Sequence, residues 1–132
     1  MAKNEQMPAL SIRQPYCEQI LLGEKTIEYR SKPTKRRGRV YIYASLTPGP
    51  EEEWEWMDLV PGDLPTGVIV GTVEVTGCTG EDGDYEWHLA NPQRAARLRK
   101  PKNQPMPSWF FRSDLMYPIR NTLQGILTIF PL

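Results

Sequence analysis

The longest run of β-branched residues in the chain, GVIVGTVEVT at residues 67–76, places the strongest constraint on the fold. Valine, isoleucine and threonine fit the pleated surface of a sheet, so the run predicts a long strand in the middle of one. Gly71 inside the run predicts a bend or a bulge. Thirteen prolines are spread along the chain, which favours many ordered turns between short elements. The sequence therefore predicts strands and loops instead of a helical domain.

Alternation predicts further strands on either side of this run. In residues 39–44 the apolar residues Val40, Ile42 and Ala44 alternate with tyrosines, as in a central strand with two covered faces. Additional strands are predicted at residues 85–90, 109–111 and 126–130, the last closing the sheet. A short acidic helix is predicted at residues 48–60, and one or two helical turns are predicted at residues 92–99. A loop that three prolines stiffen is predicted at residues 100–108.

Residues 10–30, LSIRQPYCEQILLGEKTIEYR, place a dense polar cluster beside a short apolar helix. Residues 10–12 suit a strand, and Pro15 suits the first turn of a helix because its missing N–H costs nothing there. The helix presents one apolar face, formed by residues at steps of three and four, and Gly23 supplies its left-handed end. A cluster of this density beside a helix is typical of a binding site.

After Gly23, residues 26–30 alternate, so Glu28 and Arg30 share one side of a predicted strand and Ile27 and Tyr29 share the other. Lys25 joins the first pair only if it lies in the preceding turn and reaches over. An acid between two cations keeps its negative charge and holds the cations in place to meet a ligand. The alternative is an exposed strand face with a surface ion pair of little energetic value, and alternation alone does not decide between them.

Four segments of the chain resemble the ASCH family, the activating-signal-cointegrator homology domains of the PUA-like superfold. GEKTIEYR at residues 23–30 resembles the family's glycine, lysine, glutamate and arginine signature, and LSIRQPY at residues 10–16 is similar to its lead-in. RGRVYIYAS at residues 37–45 and YEWHLANPQ at residues 85–93 resemble two of its strands. The resemblance implies an α+β fold, a small, partly open β-barrel with a few short helices packed on one side.

The resemblance also implies a cleft between barrel and helices, lined by Lys25, Glu28 and Arg30. Related folds bind RNA, DNA or modified nucleobases. We expect residues 1–8 to form a flexible N-terminus and residues 9–132 to form a single domain. A domain of this size can bury a hydrophobic core without disulfides or metal ions to hold it together. We expect the protein to be a monomer.

Composition excludes several classes. No stretch approaches eighteen apolar residues and the N-terminus lacks the apolar core of a secretory signal, so we expect a cytoplasmic protein that does not enter a membrane. Of the two cysteines, Cys17 falls on the apolar helix face, which favours a buried thiol over a disulfide. With His88 as the single histidine and no Cys-x-x-Cys spacing, we expect no metal site and no cofactor.

The net charge of zero hides a segregation of charges along the chain. Residues 30–39 hold six cations and no acid, and a second basic run spans residues 94–102. Acidic blocks lie at residues 51–63 and 81–86. If the basic runs converge, they attract a phosphate backbone; the alternative is that basic and acidic segments pair across the surface. The candidate phosphate-binding residues are Lys35, Arg36, Arg37, Arg39, Arg97 and Lys100.

The first functional hypothesis is a module that binds nucleic acid, most readily RNA, through a cationic cleft that holds a nucleotide or phosphate. The candidate ligand-binding residues are Arg13, Gln14, Tyr16, Lys25, Glu28 and Arg30. The three cations donate to the ligand, the glutamine contacts a base edge or sugar, the tyrosine stacks, and the glutamate accepts from an exocyclic amine.

Two other hypotheses stay open. In one, the protein is a hydrolase acting on RNA or a modified nucleoside, with Lys25 and Glu28 as catalytic residues. Some ASCH proteins that this chain resembles carry a threonine nucleophile at the position of Glu28, and an acid is a poor substitute for it. His88 is the other candidate for moving a proton, although a satisfied or exposed histidine is the simpler interpretation. In the third hypothesis, the acidic segment 51–63, with Trp54 and Trp56 two residues apart, binds a protein partner.

Overall fold

Strands dominate the structure, a computed structural model that describes residues 7–101 in full and the backbone of residues 109–111 and 115–118. In chain order the elements are β1 (Pro8–Ile12), α1 (Tyr16–Leu21), β2 (Ile27–Arg30), β3 (Gly38–Ala44), α2 (Glu51–Trp56), β4 (Val68–Glu81), β5 (Asp84–Pro101), β6 (Trp109–Phe111) and β7 (Leu115–Pro118). Pro8, the last residue of the expected flexible N-terminus, is the first residue of β1.

The strands form one sheet in the order β2, β5, β4, β3, β1, β6, and β7 pairs with the far end of β5. β1 and β3 run parallel, and the other pairs are antiparallel. The connection from β1 to β3 contains α1 and β2, so the residues of the signature lie within this crossover. The fold is a small, partly open barrel of α+β class with short helices, as the resemblance implies.

Alternation along β3 separates two apolar clusters. Val40, Ile42 and Ala44 are buried in the larger cluster, which also contains Cys17 and Ile20 of α1. Tyr43 packs in a smaller cluster with Ala9 and Ile69, against which Tyr41 also rests. Each fully buried aliphatic side chain stabilises the fold by about 1.5–3 kcal/mol. The prediction of a central strand with two covered faces is confirmed.

β4 is the central strand that its β-branched composition predicts, since it pairs with both β3 and β5. It continues beyond the predicted end at residue 76 as far as Glu81. Gly71 lies at a shift of register between β4 and β5, which confirms the predicted bulge. A Cβ added to Gly71 would lie 2.7 Å from Cδ2 of Leu21 and closer still to the carbonyl oxygen of Gln93. Because Gly71 has no side chain, α1 and β5 can lie close to β4 at this point.

The prediction of helical turns at residues 92–99 is wrong, because β5 continues through this segment to Pro101. Pro92 and Asn91, whose φ is +53°, stand opposite Val73 where the register shifts. An extra residue at a bulge removes the need for a ladder hydrogen bond from proline. Residues 95–98 likewise stand opposite the single residue Val70, so the helix-like composition RAARL belongs to a second, larger bulge.

Other predictions differ from the structure or concern residues outside its described part. The acidic helix predicted at residues 48–60 is limited to Glu51–Trp56, with Pro50 as its N-cap, and Asp58 beyond it has a φ of +60°. β6 confirms the strand predicted at residues 109–111. The loop predicted at residues 100–108 is wrong for Lys100 and Pro101, which still belong to β5. Residues 102–108 and the strand predicted at residues 126–130 lie outside the described residues.

Candidate functional site

A pocket of about 540 Å³ lies between α1, α2 and the turn that leads into β2. We call it the helix pocket. It is lined by Tyr16, Gln19, Glu24, Lys25, Thr26, Ile27, Glu28, Tyr29 and Glu53. Its volume is within the range of roughly 300–1,000 Å³ that is typical of small-molecule sites.

The turn after α1 places Lys25 at the pocket. Gly23 has a φ of +81°, which ends the helix as predicted. The backbone N–H groups of Glu24 and Lys25 then both donate to the carbonyl oxygen of Gln19, at 2.9 and 3.1 Å. These bonds fix the turn before β2 begins at Ile27, so the lysine stem starts from a defined backbone.

The side chains of Lys25, Glu28 and Arg30 meet. The ammonium of Lys25 lies 3.7 Å from Oε1 of Glu28, and Nε of Arg30 donates to Oε2 of the same carboxylate at 2.9 Å. The three side chains are only 14%, 11% and 19% exposed, respectively. The alternative of a solvent-exposed surface pair is therefore excluded, and the role of these residues in binding stays a prediction.

Arg30 acts as a brace beneath the pocket instead of lining it. Its Nη2 donates to the carbonyl oxygen of Ser11 at 2.7 Å, which ties β2 to β1. Its guanidinium also lies 5.4 Å from the ring centroid of Trp87 on β5. Because Arg30 holds Glu28 from one side, the second oxygen of that carboxylate is directed at Lys25.

Two tyrosines flank the Lys25 ammonium, which lies 4.8 Å from the ring centroid of Tyr16 and 5.3 Å from that of Tyr29. Tyr29 is 62% exposed, so most of its ring is available to a ligand. Burial raises the pKa of Tyr16, and the negative charges of Glu53 and Glu28 raise it further. Tyr16 therefore stays protonated at neutral pH and presents a neutral ring and hydroxyl.

The structure places Tyr16, Lys25 and Glu28 in the lining of the helix pocket and places the other predicted ligand-binding residues elsewhere. Arg13 is exposed outside this lining. Gln14 is 1% exposed, and its amide is used internally: Nε2 donates to the carbonyl oxygen of Pro65 at 3.0 Å, and Oε1 accepts from the backbone N–H of Glu18 at 3.1 Å.

Sequence reasoning missed the contribution of α2. Glu53 faces α1, where its Oε1 accepts a hydrogen bond from Nε2 of Gln19 at 3.0 Å. Together with Glu24 and Glu28 it gives the lining three carboxylates against the one ammonium of Lys25. The prediction of a cationic cleft is therefore not confirmed for the helix pocket. The acids of α2 were visible in the sequence, but nothing in it indicated that one of them turns toward Lys25.

Comparison with known proteins identifies the family. A family model of the ASCH domain matches residues 10–113, which is most of the chain. The chain belongs to the ASCH family. Its curated relatives include activating signal cointegrator 1 from human and from mouse, each 31% identical over 83 residues that cover 54% of this chain. The matched part is only 14% of the length of each of those proteins.

The candidate phosphate-binding residues of this ASCH domain lie in two regions. Lys35, Arg36 and Arg37 are exposed in the loop between β2 and β3. Arg39 reaches across the sheet: Nη1 donates to Oγ1 of Thr72 at 2.8 Å and Nη2 donates to the carbonyl oxygen of Asn91 at 2.9 Å. Arg97 and Lys100 are exposed on β5. The end of the first basic run thus approaches the strands that carry the second.

His88 and Cys17 have structural partners in the ASCH domain. Nε2 of His88 lies 2.9 Å from Oγ1 of Thr79, and the buried thiol of Cys17 lies 3.2 Å from the carbonyl oxygen of Ile12. Cys17 and Cys78 are both free thiols. Trp54 is buried, whereas Trp56 is 84% exposed.

The part of the chain that the structure describes contains no group of three His, Cys, Asp or Glu residues arranged to hold a metal ion. It also contains no helix with the length and apolar character needed to cross a membrane.

Proposed function

We propose that this ASCH domain binds single-stranded RNA and that the helix pocket holds one unpaired nucleotide. The observation that carries the proposal is the arrangement of Lys25 between Tyr16 and Tyr29 beside Glu28, in an open pocket of about 540 Å³. Unpaired bases stack on aromatic rings, and this pocket offers an exposed one in Tyr29.

The charges of the lining favour recognition of a base over recognition of a phosphate. Glu28 and Glu53 supply acceptors for an exocyclic amine, and Lys25 supplies a donor for a ring nitrogen or carbonyl oxygen. The carboxylates of Glu24 and Glu53 would repel a phosphate in the same space. The pocket therefore suits a base that carries both an amine and an acceptor, such as cytosine or adenine, better than uracil.

The family and its relatives support a regulatory role for such binding. The name of activating signal cointegrator 1 describes a cointegrator of activating signals, and this chain resembles a short part of that protein. We propose that RNA binding by this domain serves regulation of gene expression.

The test is a binding titration by fluorescence anisotropy, with labelled cytidine-rich and uridine-rich single strands and a matched RNA duplex. We expect the cytidine-rich strand to bind most tightly. Tyr29→Ala should weaken it by about tenfold, since loss of one stacked base is worth roughly 1–3 kcal/mol. Lys32→Ala is the control, because Lys32 is exposed and lies outside the lining of the pocket. Equal affinity of Tyr29→Ala and the wild type would contradict the proposal.

The same RNA samples separate binding from catalysis. The hydrolase hypothesis assigns Lys25 and Glu28 to chemistry, so it requires cleavage or deacylation of the RNA that Lys25→Ala abolishes while binding persists. We expect no turnover and a loss of affinity in Lys25→Ala. Product formation by the wild type would replace the binding function with an enzymatic one.

A further inference from the structure

A second cavity, of about 510 Å³, lies over β3, β4 and β5. We call it the arginine cavity. Among the described residues its lining includes Tyr41, Ile69, Thr72, Gln93, Arg97 and Arg99. Tyr41 and Ile69 belong to the smaller apolar cluster, on the side of the sheet away from the core that packs on α1.

The larger bulge of β5 creates this cavity. Residues 95–98 stand opposite Val70 alone, so the backbone leaves the ladder and carries the side chains of the segment outward. Leu98 is buried, whereas Ala96 and Arg97 are exposed. Bulges re-aim side chains, and here the bulge carries Arg97 to the rim of a concave surface.

The charges of the arginine cavity are opposite to those of the helix pocket. Its described lining contains three arginines and no carboxylate. Glu18 neutralises Arg94 through two hydrogen bonds of 2.9 Å each, which leaves the positive charge of the lining on Arg97 and Arg99. Arg39 adds to it from the rim, where its guanidinium donates to Oγ1 of Thr72.

We propose that the arginine cavity binds phosphate groups. Guanidinium groups form bidentate bonds with phosphate oxygens, and the hydroxyl of Thr72 and the amide of Gln93 supply further polar contacts at the cavity. On the function proposed above, these phosphates belong to the RNA strand whose base enters the helix pocket. The helix pocket then recognises a base, and the arginine cavity binds the sugar-phosphate backbone.

The alternative source of the phosphate is a free mononucleotide, and two experiments distinguish the sources. The first follows backbone amide signals by NMR during titration with cytidine 5′-monophosphate and, separately, with inorganic phosphate. We expect both to shift the amides of Thr72, Gln93 and Arg97, and we expect Arg97→Gln/Arg99→Gln to remove these shifts. Shifts that persist in the double variant would overturn the assignment of the cavity.

The second experiment measures the salt dependence of RNA affinity. Each phosphate contact to a single strand contributes about 0.7 to the slope of log Kd against log salt concentration. Arg97→Gln/Arg99→Gln should therefore lower the slope by about 1.4. The control, Lys32→Gln, removes one exposed cation from the loop that precedes β3 and should leave the NMR shifts intact.

These outcomes separate the inference from the proposed function. RNA binding with a wild-type slope in Arg97→Gln/Arg99→Gln would overturn the arginine cavity and leave RNA binding in place. A different result is that the wild type binds the mononucleotide but not RNA, and that the double variant no longer binds the mononucleotide. This result would support the cavity as a phosphate site and overturn RNA binding.

Discussion

At the scale of single residues, Glu28 is the centre of the signature. One carboxylate satisfies two cations: Arg30 by a hydrogen bond of 2.9 Å and Lys25 at 3.7 Å. Neighbouring strands fix Arg30 through Ser11 and Trp87, so Glu28 in turn fixes Lys25. Two of the signature side chains therefore stabilise the fold and position the third.

Substitution of Glu28 should destabilise the protein. Glu28→Gln leaves two largely buried cations without their anion, and we expect a loss of about 1–3 kcal/mol in the free energy of unfolding. Urea unfolding followed by tryptophan fluorescence measures it. Glu24→Gln, at an exposed position of the same turn, is the matched control and should cost less than about 0.5 kcal/mol. Equal effects of the two variants would contradict the central role of Glu28.

Cys17 gives a pH prediction at the same scale. Burial raises the pKa of its thiol well above the ordinary value of 9.0. The folded state therefore resists deprotonation more than the unfolded state does, so this contribution to stability is complete below pH 9 and is lost as the pH rises through the folded pKa. Above pH 9 we expect the free energy of unfolding to fall by about 1.4 kcal/mol per pH unit from this group.

Urea unfolding of the wild type and of Cys17→Ala between pH 7.5 and 10.5 tests this dependence. The alanine variant should be less stable at neutral pH and should lose stability less steeply above pH 9. The raised pKa of Tyr16 contributes in the same direction in both proteins. Parallel curves for the two proteins would show that the thiol does not titrate differently on unfolding.

At the scale of elements, α1 is attached to β5 by Glu18 and Arg94. The two side chains form a bidentate pair, in which the side chain of Glu18 is 15% exposed and that of Arg94 is 25% exposed. The hydrogen bonds to Glu18 raise the pKa of Arg94. This pair anchors the helix that supplies Tyr16 and Gln19 to the helix pocket.

A double-mutant cycle measures this attachment. From Glu18→Gln, Arg94→Gln and the combined variant we expect a coupling energy of about 0.5–1.5 kcal/mol, reduced by partial exposure to solvent. Raising the salt concentration should lower the coupling energy only slightly, because a bidentate pair keeps its hydrogen bonds. A coupling energy near zero would show that packing alone holds α1.

Close packing of α1 on β4 and β5 makes Gly71 irreplaceable. A methyl group there meets the Gln93 carbonyl oxygen and Leu21, and we expect Gly71→Ala to cost about 1–3 kcal/mol in the free energy of unfolding. Gly77→Ala on the same strand is the control, since its nearest neighbour would be His88 at 3.6 Å, an ordinary contact. Thermal unfolding of both variants checks the difference, and equal melting temperatures would contradict it.

Secondary structure was predicted correctly where the pattern within a segment determines it, and wrongly where pairing with other strands determines it. β3 and β4 follow from alternation and β-branching. The short α1 follows from its apolar face and from the glycine after it. Residues 92–99 looked helical because alanine, arginine and leucine favour helices, but pairing with β4 and β7 overrides that preference. The strand predicted at residues 85–90 continues past Pro92, because a bulge accommodates this proline.

At the scale of the whole molecule, the candidate site was only half visible in the sequence. The signature within residues 23–30 revealed the meeting of Lys25, Glu28 and Arg30. Glu53 comes from α2, and its approach to Gln19 depends on how the loop after β3 folds back, which no short pattern encodes. The sign of the pocket's charge therefore could not be predicted from the signature.

Segregated charges give a prediction for the molecule as a whole. Glu51 and Glu52 are exposed on α2, beside the helix pocket but outside its lining. If RNA enters this pocket, Glu51→Gln/Glu52→Gln should strengthen binding by about twofold at low salt, because repulsion falls. The gain should vanish near 0.5 M salt, where charges are screened. Anisotropy titrations at both salt concentrations check it, and weaker binding at low salt would contradict RNA entry from this side.

Nearly all of the helix pocket comes from one stretch of chain, residues 16–29, with Glu53 as the one described contributor from elsewhere. Most of the pocket lining in this ASCH domain therefore forms a transferable block. Transplanting that stretch between relatives would exchange this lining together with residues 27–29 of β2, and would leave β1 and the strands from β3 onward unchanged, provided that Cys17 and Ile20 keep their apolar character. New specificities can thus arise by replacing a short block of sequence on a constant scaffold.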